Sequence, residues 1–543
     1  MADITTIDHP EIGKVRGTKA KEGVEQSRGI QYATVKDRFA PAVLKIYDGQ
    51  GIEATSIGPQ TAPLLQGAEH EQDLIQHRLP NTPVAFSDTE GLNLNITYPT
   101  PRNREDYLYQ ASHPLPVLVF IHGGGFMVGS ASYPQYDMAR FVALSAAKGL
   151  PIIAVTLNYR LGPPGLLTSK EMREHGYLPN NALRDQRVAI EWVRKYIAGF
   201  GGDPDNITLA GESAGSISCC HHLQAKEKLF KRVIAMSGTG LLIPPFPVEA
   251  AELNYVAAIK ALGLEEKSVE ERMERLCTMD AGELRAKLAS MPMLPVVDDE
   301  LPVAPYKFAD FASGKAREGI AGSTWCEEMM IGDCAFDGSI QSLRIGHRKK
   351  GCAKQFCDEM KRASDSPQHA EKLLEGYGIT PDLDDETAYE RILETLNDIG
   401  FYTPTLAYAK ALSGGMKTYM YRSNEPNPWG GPWKGKANHI LDVALLFQNF
   451  NEYLDEAQRK SADAFAEGVI RFVSGQAPWE PWTADAKKAM VIGPQGRTEI
   501  EQDVPGDGTG RSAVMLELAR TVEGGMDRLS EVLHGFIRGP PAT

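Results

Sequence analysis

The chain has 543 residues, of which 42% are hydrophobic and 24% charged, and its formal net charge at pH 7 is -14. These proportions are typical of a soluble globular protein, and the acidic balance argues against nucleic acid as a partner. The sequence contains no run of roughly eighteen apolar residues, which argues against a membrane-spanning segment.

The termini and the cysteines predict a cytoplasmic protein. The first residues contain no basic segment followed by an apolar core, so no secretory signal is predicted. The seven cysteines are an odd number without metal-ligand spacing, which is not typical of a disulfide framework. Neither an HExxH motif nor a dinucleotide-binding fingerprint occurs, so we expect no metal and no other cofactor.

Apolar runs alternate with helical patterns in the first half of the chain. Residues 116–122 and 151–159 are short, β-branched and bounded by Gly or Pro, which predicts buried strands. Residues 180–199 have apolar positions at helical spacing, and residues 206–211 and 231–238 predict two further strands. The alternation predicts an α/β fold with a large, mostly parallel sheet and helices on both faces.

The middle of the chain differs from this pattern. Residues from about 244 to 310 and from 333 to 410 are charged and mainly helical, without the alternation of strands. We interpret both segments as insertions packed over the sheet. Because the sequence has no internal repeat and no low-complexity linker, residues 1–543 are predicted to form a single catalytic domain.

The pentapeptide GESAG at residues 211–215 has the G-x-S-x-G form. At a turn from a strand into a helix, the two glycines let the elements approach while the serine hydroxyl stands clear of the backbone. The alternative is an ordinary Gly/Ser turn. The apolar run before the motif and the helical pattern after it favour Ser213 as a nucleophile.

Three consecutive glycines in HGGGF, at residues 122–126, follow a predicted buried strand. Such a loop leaves backbone N–H groups free to stabilise the oxyanion of a tetrahedral intermediate. We predict an oxyanion hole formed by the N–H groups of Gly124, Gly125 and Ala214, the residue after the nucleophile.

The chain resembles the type-B carboxylesterase family, the carboxylesterase and cholinesterase group of the α/β-hydrolases, over nearly its whole length. Four segments carry the resemblance in the family's order: GIQYATVKDRFAP at 29–41, LNYRLGPPG at 157–165, NNALRDQRVAIEWV at 180–193 and FGGDPDNITLAGESAGS at 200–216. The resemblance implies an α/β-hydrolase fold, a Ser–His–Glu triad and cleavage of carboxylic esters.

The resemblance also implies the position of the acid. In this family a glutamate stands five residues after a glycine that closes a strand, and Gly322 followed by Glu327 fits that spacing. The family's aspartate before the acid is Cys326 here, and its glycine after the acid is Glu328. Glu327 is therefore the favoured acid and Glu328 the alternative.

The base is implied by the segment KGKANHILDVALLF at residues 434–447. In the family a histidine precedes an acidic residue by three positions and a phenylalanine by eight, which His439, Asp442 and Phe447 satisfy. Ile440 replaces the family's usual glycine. The order serine, acid, histidine along the chain agrees with that of the α/β-hydrolases.

These assignments predict a serine esterase mechanism. Ser213 attacks the ester carbonyl, His439 takes its proton and Glu327 orients the imidazole, giving an acyl-enzyme that water hydrolyses. Because the base must be neutral, activity is expected to fall as the pH drops through about 6–7.

Four further residues are predicted near the substrate. Phe126 is expected to line the site beside the oxyanion hole, and Glu212 to orient a water molecule or the histidine. Trp429 and Trp433 precede His439 closely and either shape a gorge or pack the loop. An apolar, aromatic pocket suits a small-molecule substrate, an uncharged ester of moderate size.

Thr61 and Gly91 stand where many secreted family members have the two cysteines of an N-terminal disulfide. Loss of both partners together suits a reducing compartment and agrees with the cytoplasmic prediction.

Two other functions remain as alternatives to the carboxylesterase. One is a catalytically silent binding protein of the same fold, which would lack a triad residue. The other is a lipase acting on acylglycerols, for which we would expect an amphipathic lid and often export. The sequence predicts no particular oligomeric state.

Overall fold

The fold is organised by one large sheet. The computed structural model describes residues 3–100, 112–502 and 511–539, apart from residues 63, 65, 365, 495 and 497. The strands are β1 Ile4–His9, β2 Gly13–Lys21, β3 Val24–Gln31, β4 Ala33–Thr34, β5 Val43–Leu44, β6 Ile52–Glu53, β7 Asn93–Pro99, β8 Leu115–Ile121, β9 Ile153–Leu157, β10 Gly202–Glu212, β11 Arg232–Met236, β12 Glu328–Cys334, β13 Lys417–Ser423, β14 Lys488–Ile492 and β15 Thr498–Gln502.

Helices surround this sheet. The α-helices are α1 Gly67–Ile75, α2 Ala139–Ala147, α3 Pro163–Leu166, α4 Lys170–Glu174, α5 Asn181–Tyr196, α6 Ala214–His222, α7 Val248–Leu262, α8 Val269–Thr278, α9 Ala281–Lys287, α10 Phe308–Ser313, α11 Lys315–Gly319, α12 Gly322–Trp325, α13 Ser342–Ile345, α14 Cys352–Ala363, α15 Pro367–Gly376, α16 Asp385–Asn397, α17 Thr403–Leu412, α18 Leu441–Leu446, α19 Glu456–Val473, α20 Arg511–Thr521 and α21 Gly525–Arg538. Within the described ranges, no helix combines the length and the apolar character that crossing a membrane requires.

Among the described residues, thirteen strands join in the main sheet, in the order β1-β2-β3-β7-β9-β8-β10-β11-β12-β13-β14-β15, with β6 beside β2. From β9 to β14 neighbouring strands are parallel. The strands at both edges are antiparallel to their neighbours. This architecture confirms the predicted α/β fold. Because the central strands are parallel, their carboxyl ends meet at one edge, where loops can bring distant residues together.

The strands and the helix predicted in the first half of the chain are confirmed as β8, β9, α5, β10 and β11. Every residue of β9 is buried, as expected of a parallel strand covered on both faces. Helix α5 buries Ala189, Trp192 and Val193 on the predicted stripe. Before its first turn, Asn180 adopts a left-handed conformation, and its side chain accepts from the N–H of Val296 and does not cap the helix.

The two predicted insertions are mainly helical. The first contains α7 to α10 and the second contains α13 to α17. Helices α14, α15 and α16 pack with α20 and α21 in a hydrophobic cluster separate from the two clusters that flank the sheet. The C-terminal helices therefore contribute to the core of the second insertion. The description of the whole chain as one domain stays a prediction.

A buried ion pair ties helix α5 to the loop after β9. Arg160 donates from Nη2 and Nε to the two carboxylate oxygens of Asp185, at 2.6 and 2.8 Å. Its Nη1 donates to the carbonyls of Arg38 and Ala40, at 3.2 and 2.6 Å. The side chains of Arg160 and Asp185 are 3% and 0% exposed. Because water reaches neither charge, each is stabilised mainly by the other.

The substitution Asp185→Asn is expected to lower the free energy of unfolding by about 3–5 kcal/mol, because it leaves the guanidinium of Arg160 buried without a counter-charge. Urea denaturation of the purified protein measures the loss. Glu53→Gln is the matched control. The side chains of Arg16 and Glu53, which form an ion pair, are 51% and 62% exposed, so this variant should lose less than about 1 kcal/mol of unfolding free energy. Equal losses in the two variants would contradict the expectation.

Candidate active site

Ser213 lies at the turn between β10 and α6, as the GESAG motif predicts. Its backbone has φ 53° and ψ -118°, a conformation that residues with a side chain rarely adopt. Strand β10 ends at Glu212 and the helix begins at Ala214, so the serine occupies the corner itself. The residue is half-buried.

The two flanking glycines allow this corner. A Cβ added at Gly211 would lie 2.3 Å from the carbonyl group of Gly215, and one added at Gly215 would lie 2.0 Å from the carbonyl oxygen of Ile121. No side chain fits at these distances. Strand β10, helix α6 and strand β8 therefore approach closely only because both positions are glycine.

His439 joins the serine to a carboxylate. Its Nε2 lies 3.0 Å from Oγ of Ser213, which confirms the predicted contact across 226 residues. On the other side of the ring, Nδ1 lies 2.6 Å from Oδ1 of Asp337. The second oxygen of Asp337 accepts from the N–H of Cys334 at 2.7 Å, and the N–H of His439 donates to Oγ of Ser339 at 3.0 Å. These contacts fix the orientation of both side chains.

The prediction that Glu327 pairs with the histidine is wrong. Glu327 is 49% exposed and forms ion pairs with Lys228 and Lys231, at 3.2 and 3.7 Å. The alternative, Glu328, pairs with Arg232 at 2.8 Å. Glu328 is the first residue of β12, whereas Asp337, the residue that contacts Nδ1 of His439, lies beyond the last residue of that strand. At about 3.3 Å per residue, this seven-residue strand separates the two places by about 20 Å.

A usable signal for Asp337 was present in the sequence. The acid stands five residues after Gly332, and Gly338 follows it, which is the family's spacing and its usual glycine. Gly332 lies within strand β12, whereas Gly322 lies in the short helix α12. The prediction therefore used the right spacing from the wrong glycine. The acid is also an aspartate here where the family pattern has a glutamate.

The triple-glycine loop lies beside the serine. A Cβ added at Gly123 would be 3.1 Å from Cβ of Ser213. Gly124 and Gly125 have φ of 89° and 60°, and the space above Gly125 is open. Among the described residues, no hydrogen-bond acceptor receives the N–H groups of Gly124, Gly125 or Ala214. Their role as an oxyanion hole stays a prediction.

Glu212 is a second carboxylate against the imidazole. Its Oε1 lies 3.1 Å from Nε2 of His439, and its side chain is buried. Burial raises the pKa of Glu212 well above its ordinary value, although the nearby imidazole opposes the shift. Burial alone would lower the pKa of His439, but the charges of Glu212 and Asp337 outweigh it and raise that pKa above 6.5. The two side chains therefore titrate as a coupled pair.

Two more buried carboxylates lie behind this pair. Asp442 accepts from the hydroxyl of Tyr421 at 2.7 Å, and burial raises its pKa to about 6. Glu71 accepts from the hydroxyl of Tyr136 and, at 2.8 Å, from Nε2 of Gln135, and burial raises its pKa to about 7. Sequence reasoning missed Glu71 because it lies in helix α1, where no motif marks it.

The predicted lining residues are packed against other rings. Phe126 is fully buried, with its ring 6.5 Å from that of Tyr159. Trp429 stacks on His77 at 5.1 Å, and Trp433 meets Phe336 edge-on at 5.6 Å. Their contact with substrate stays a prediction.

Phe401, which the sequence did not indicate, has its ring 5.4 Å from that of His439. It belongs to the π-helical turn Asp398–Tyr402, a kind of irregularity that is frequent at functional sites. In the part of the chain that the structure describes, no three His, Cys, Asp or Glu side chains cluster as a metal site would require.

Comparison with known proteins gives a consistent result. The model of the carboxylesterase family matches residues 4–502. Para-nitrobenzyl esterase of Bacillus subtilis is 31% identical over 538 residues, covering 91% of this chain and 95% of the relative. Bile salt-activated lipase of Rattus norvegicus is 30% identical, covering 81% and 73%.

Solved structures agree with the sequence relatives. A carboxylesterase of Geobacillus stearothermophilus superposes with a TM-score of 0.71 at 27% identity, covering 94% of this chain and 99% of that one. A PNB esterase gives a TM-score of 0.69 at 24% identity over 94% of this chain and 100% of that one, which shows the shared fold.

The substitution Glu212→Gln is expected to lower the pKa of His439, because it removes a negative charge 3.1 Å from Nε2. Titration of the imidazole by NMR, with the histidine signals assigned through His439→Gln, measures the change. Glu327→Gln is the control and should leave the titration unchanged, since that carboxylate lies at the far end of β12. An unchanged or raised pKa in Glu212→Gln would contradict the expectation.

Proposed function

The chain belongs to the carboxylesterase family, and on that basis we propose that Ser213, His439 and Asp337 hydrolyse carboxylic esters through an acyl-enzyme intermediate. Ester hydrolysis itself follows from the family, since the relatives include a para-nitrobenzyl esterase over almost the whole chain. The observation that carries the assignment of residues is the position of the imidazole, within hydrogen-bonding distance of both the serine oxygen and the aspartate.

The proposed steps conserve every proton. Oγ of Ser213 bonds to the ester carbonyl carbon while Nε2 of His439 accepts the hydroxyl proton. The resulting oxyanion accepts hydrogen bonds from the N–H groups of Gly124, Gly125 and Ala214. The C–O bond to the alcohol then breaks, and the alkoxide takes the proton from His439. Water repeats the attack on the acyl-enzyme, releasing the carboxylic acid and restoring the serine.

Asp337 supports the histidine in both halves of this cycle. By accepting from Nδ1–H, its carboxylate selects the tautomer whose Nε2 faces the serine, and its charge stabilises the imidazolium. The N–H of Cys334 holds the second carboxylate oxygen, so the acid keeps its orientation when the proton moves.

An uncharged ester of moderate size is the proposed substrate. The open space above Gly125 leaves room beside the oxyanion donors, and the ring of Phe401 next to His439 supplies apolar surface. The relatives named lipase make hydrolysis of acylglycerols the second candidate. The joined serine, histidine and aspartate argue against a catalytically silent binding protein.

We also propose a cytoplasmic location. All seven cysteines are free thiols. Thr61 and Gly91 are adjacent, since a Cβ added at Gly91 would lie 2.8 Å from Cγ2 of Thr61, so the place of the family's disulfide is retained without its cysteines. Fractionation of the source cells tests this location, and recovery of the protein outside the cells would contradict it.

An organophosphonate probe tests the assignment of the nucleophile. We expect mass spectrometry to find the phosphonate on Ser213 and to find none in Ser213→Ala. Rates on p-nitrophenyl esters of increasing acyl length, compared with rates on an emulsified triacylglycerol, separate the esterase from the lipase. Labelling of another residue together with unchanged hydrolysis by Ser213→Ala would refute the proposed mechanism.

The substitution Asp337→Asn is expected to lower kcat on p-nitrophenyl acetate by about 10³- to 10⁴-fold, because the amide stabilises the wrong tautomer and carries no charge. Glu327→Gln is the matched control and should retain wild-type kcat. Circular dichroism shows whether each variant is folded. Loss of activity in Glu327→Gln, with Asp337→Asn unaffected, would restore the assignment expected from the sequence.

The pH profile of kcat/KM should fall on the acidic side, with a midpoint above the 6.5 of an ordinary histidine. The charges of Glu212 and Asp337 favour the imidazolium, so a higher pH is needed to leave the base neutral. This midpoint replaces the fall through about pH 6–7 expected from the sequence. In Glu212→Gln the midpoint should move to lower pH; a shift to higher pH would contradict this account.

A further inference from the structure

A cavity separate from the candidate active site lies between helices α10 and α17 and the C-terminal helices. Its volume is about 690 Å³, within the usual range of small-molecule sites. None of Ser213, His439 or Asp337 lines it. Its walls are largely apolar and include Phe308, Phe311, Leu406, Trp482, Leu516 and Met526.

The polar part of this cavity is positively charged. Lys410, Lys487 and Arg520 line it, and within the described residues none of the three forms an ion pair. The carboxylate of Asp527 is already used, because it accepts from the N–H groups of Phe308 and Ala309 at 2.7 and 3.0 Å. The chain as a whole has a net charge of -14, so three cationic side chains around one apolar cavity make the local charge opposite in sign to that of the whole protein.

We propose that this cavity binds an amphipathic carboxylate, that is, a carboxylic acid with a medium-length hydrocarbon chain. The apolar walls take the chain, while the three cations attract the carboxylate. Such acids are also the class of product that an ester hydrolase releases. The binding site depends on its own residues and not on the proposed triad.

Calorimetric titration of dodecanoate into the full-length Ser213→Ala variant, below the critical micelle concentration, tests the proposal. We expect saturable binding that is weakened about tenfold or more in Lys410→Gln/Arg520→Gln, because two charge-assisted contacts are lost. The control Lys410→Arg/Arg520→Lys should keep the affinity within about threefold, because it keeps the charges. Absence of dodecanoate binding would overturn the proposal, and so would equal affinity with and without the Lys410→Gln/Arg520→Gln substitutions.

Two further measurements define the ligand. Dodecanol and inorganic phosphate should each bind more weakly than dodecanoate, since one lacks the charge and the other the chain. If either binds as tightly, the site is not one for amphipathic carboxylates. The cation substitutions are also made in the protein that retains Ser213. Unchanged esterase activity of those variants shows that they are folded.

Discussion

The function proposed for this chain depends on the placement of one imidazole, that of His439. The ring follows strand β13, while its two partners, Ser213 and Asp337, follow strands β10 and β12. Because these strands are parallel, their carboxyl ends lie at the same edge of the sheet, and three distant segments meet there. A contact spanning 226 residues thus follows from strand order more than from local preference.

Buried negative charge is the main electrostatic feature of this edge. The carboxylates of Asp337 and Glu212 contact opposite nitrogens of the imidazole, and Glu71 and Asp442 are buried nearby with raised pKa values. Removing a carboxylate from water is costly unless it gains a partner or a proton. Burial raises the pKa values of Glu71, Glu212 and Asp442, and the nearby imidazole of His439 opposes the shift at each of them.

Strain at the nucleophile has to be held by the surrounding packing. Ser213 keeps a left-handed φ of 53° because β10 and α6 are fixed on both sides of it, and Gly211 and Gly215 let these elements touch. The buried pair of Arg160 with Asp185 ties α5 to the loop after β9, the strand beside β8, which precedes the glycine loop. The packing around this corner holds Ser213 where its Oγ lies within hydrogen-bonding distance of His439.

The sequence by itself determined the α/β class, the elbow at Ser213, the triple-glycine loop and the histidine at 439, because each is marked by a short motif whose chemistry is local. It did not determine the acid. Gly322 and Gly332 are each followed five residues later by a carboxylate, and the structure shows that Gly332 lies within strand β12 and that Asp337, beyond the end of that strand, contacts His439. Glu71 and Phe401 were likewise set by tertiary structure alone, since their closeness to the site arises from packing between segments far apart in the chain.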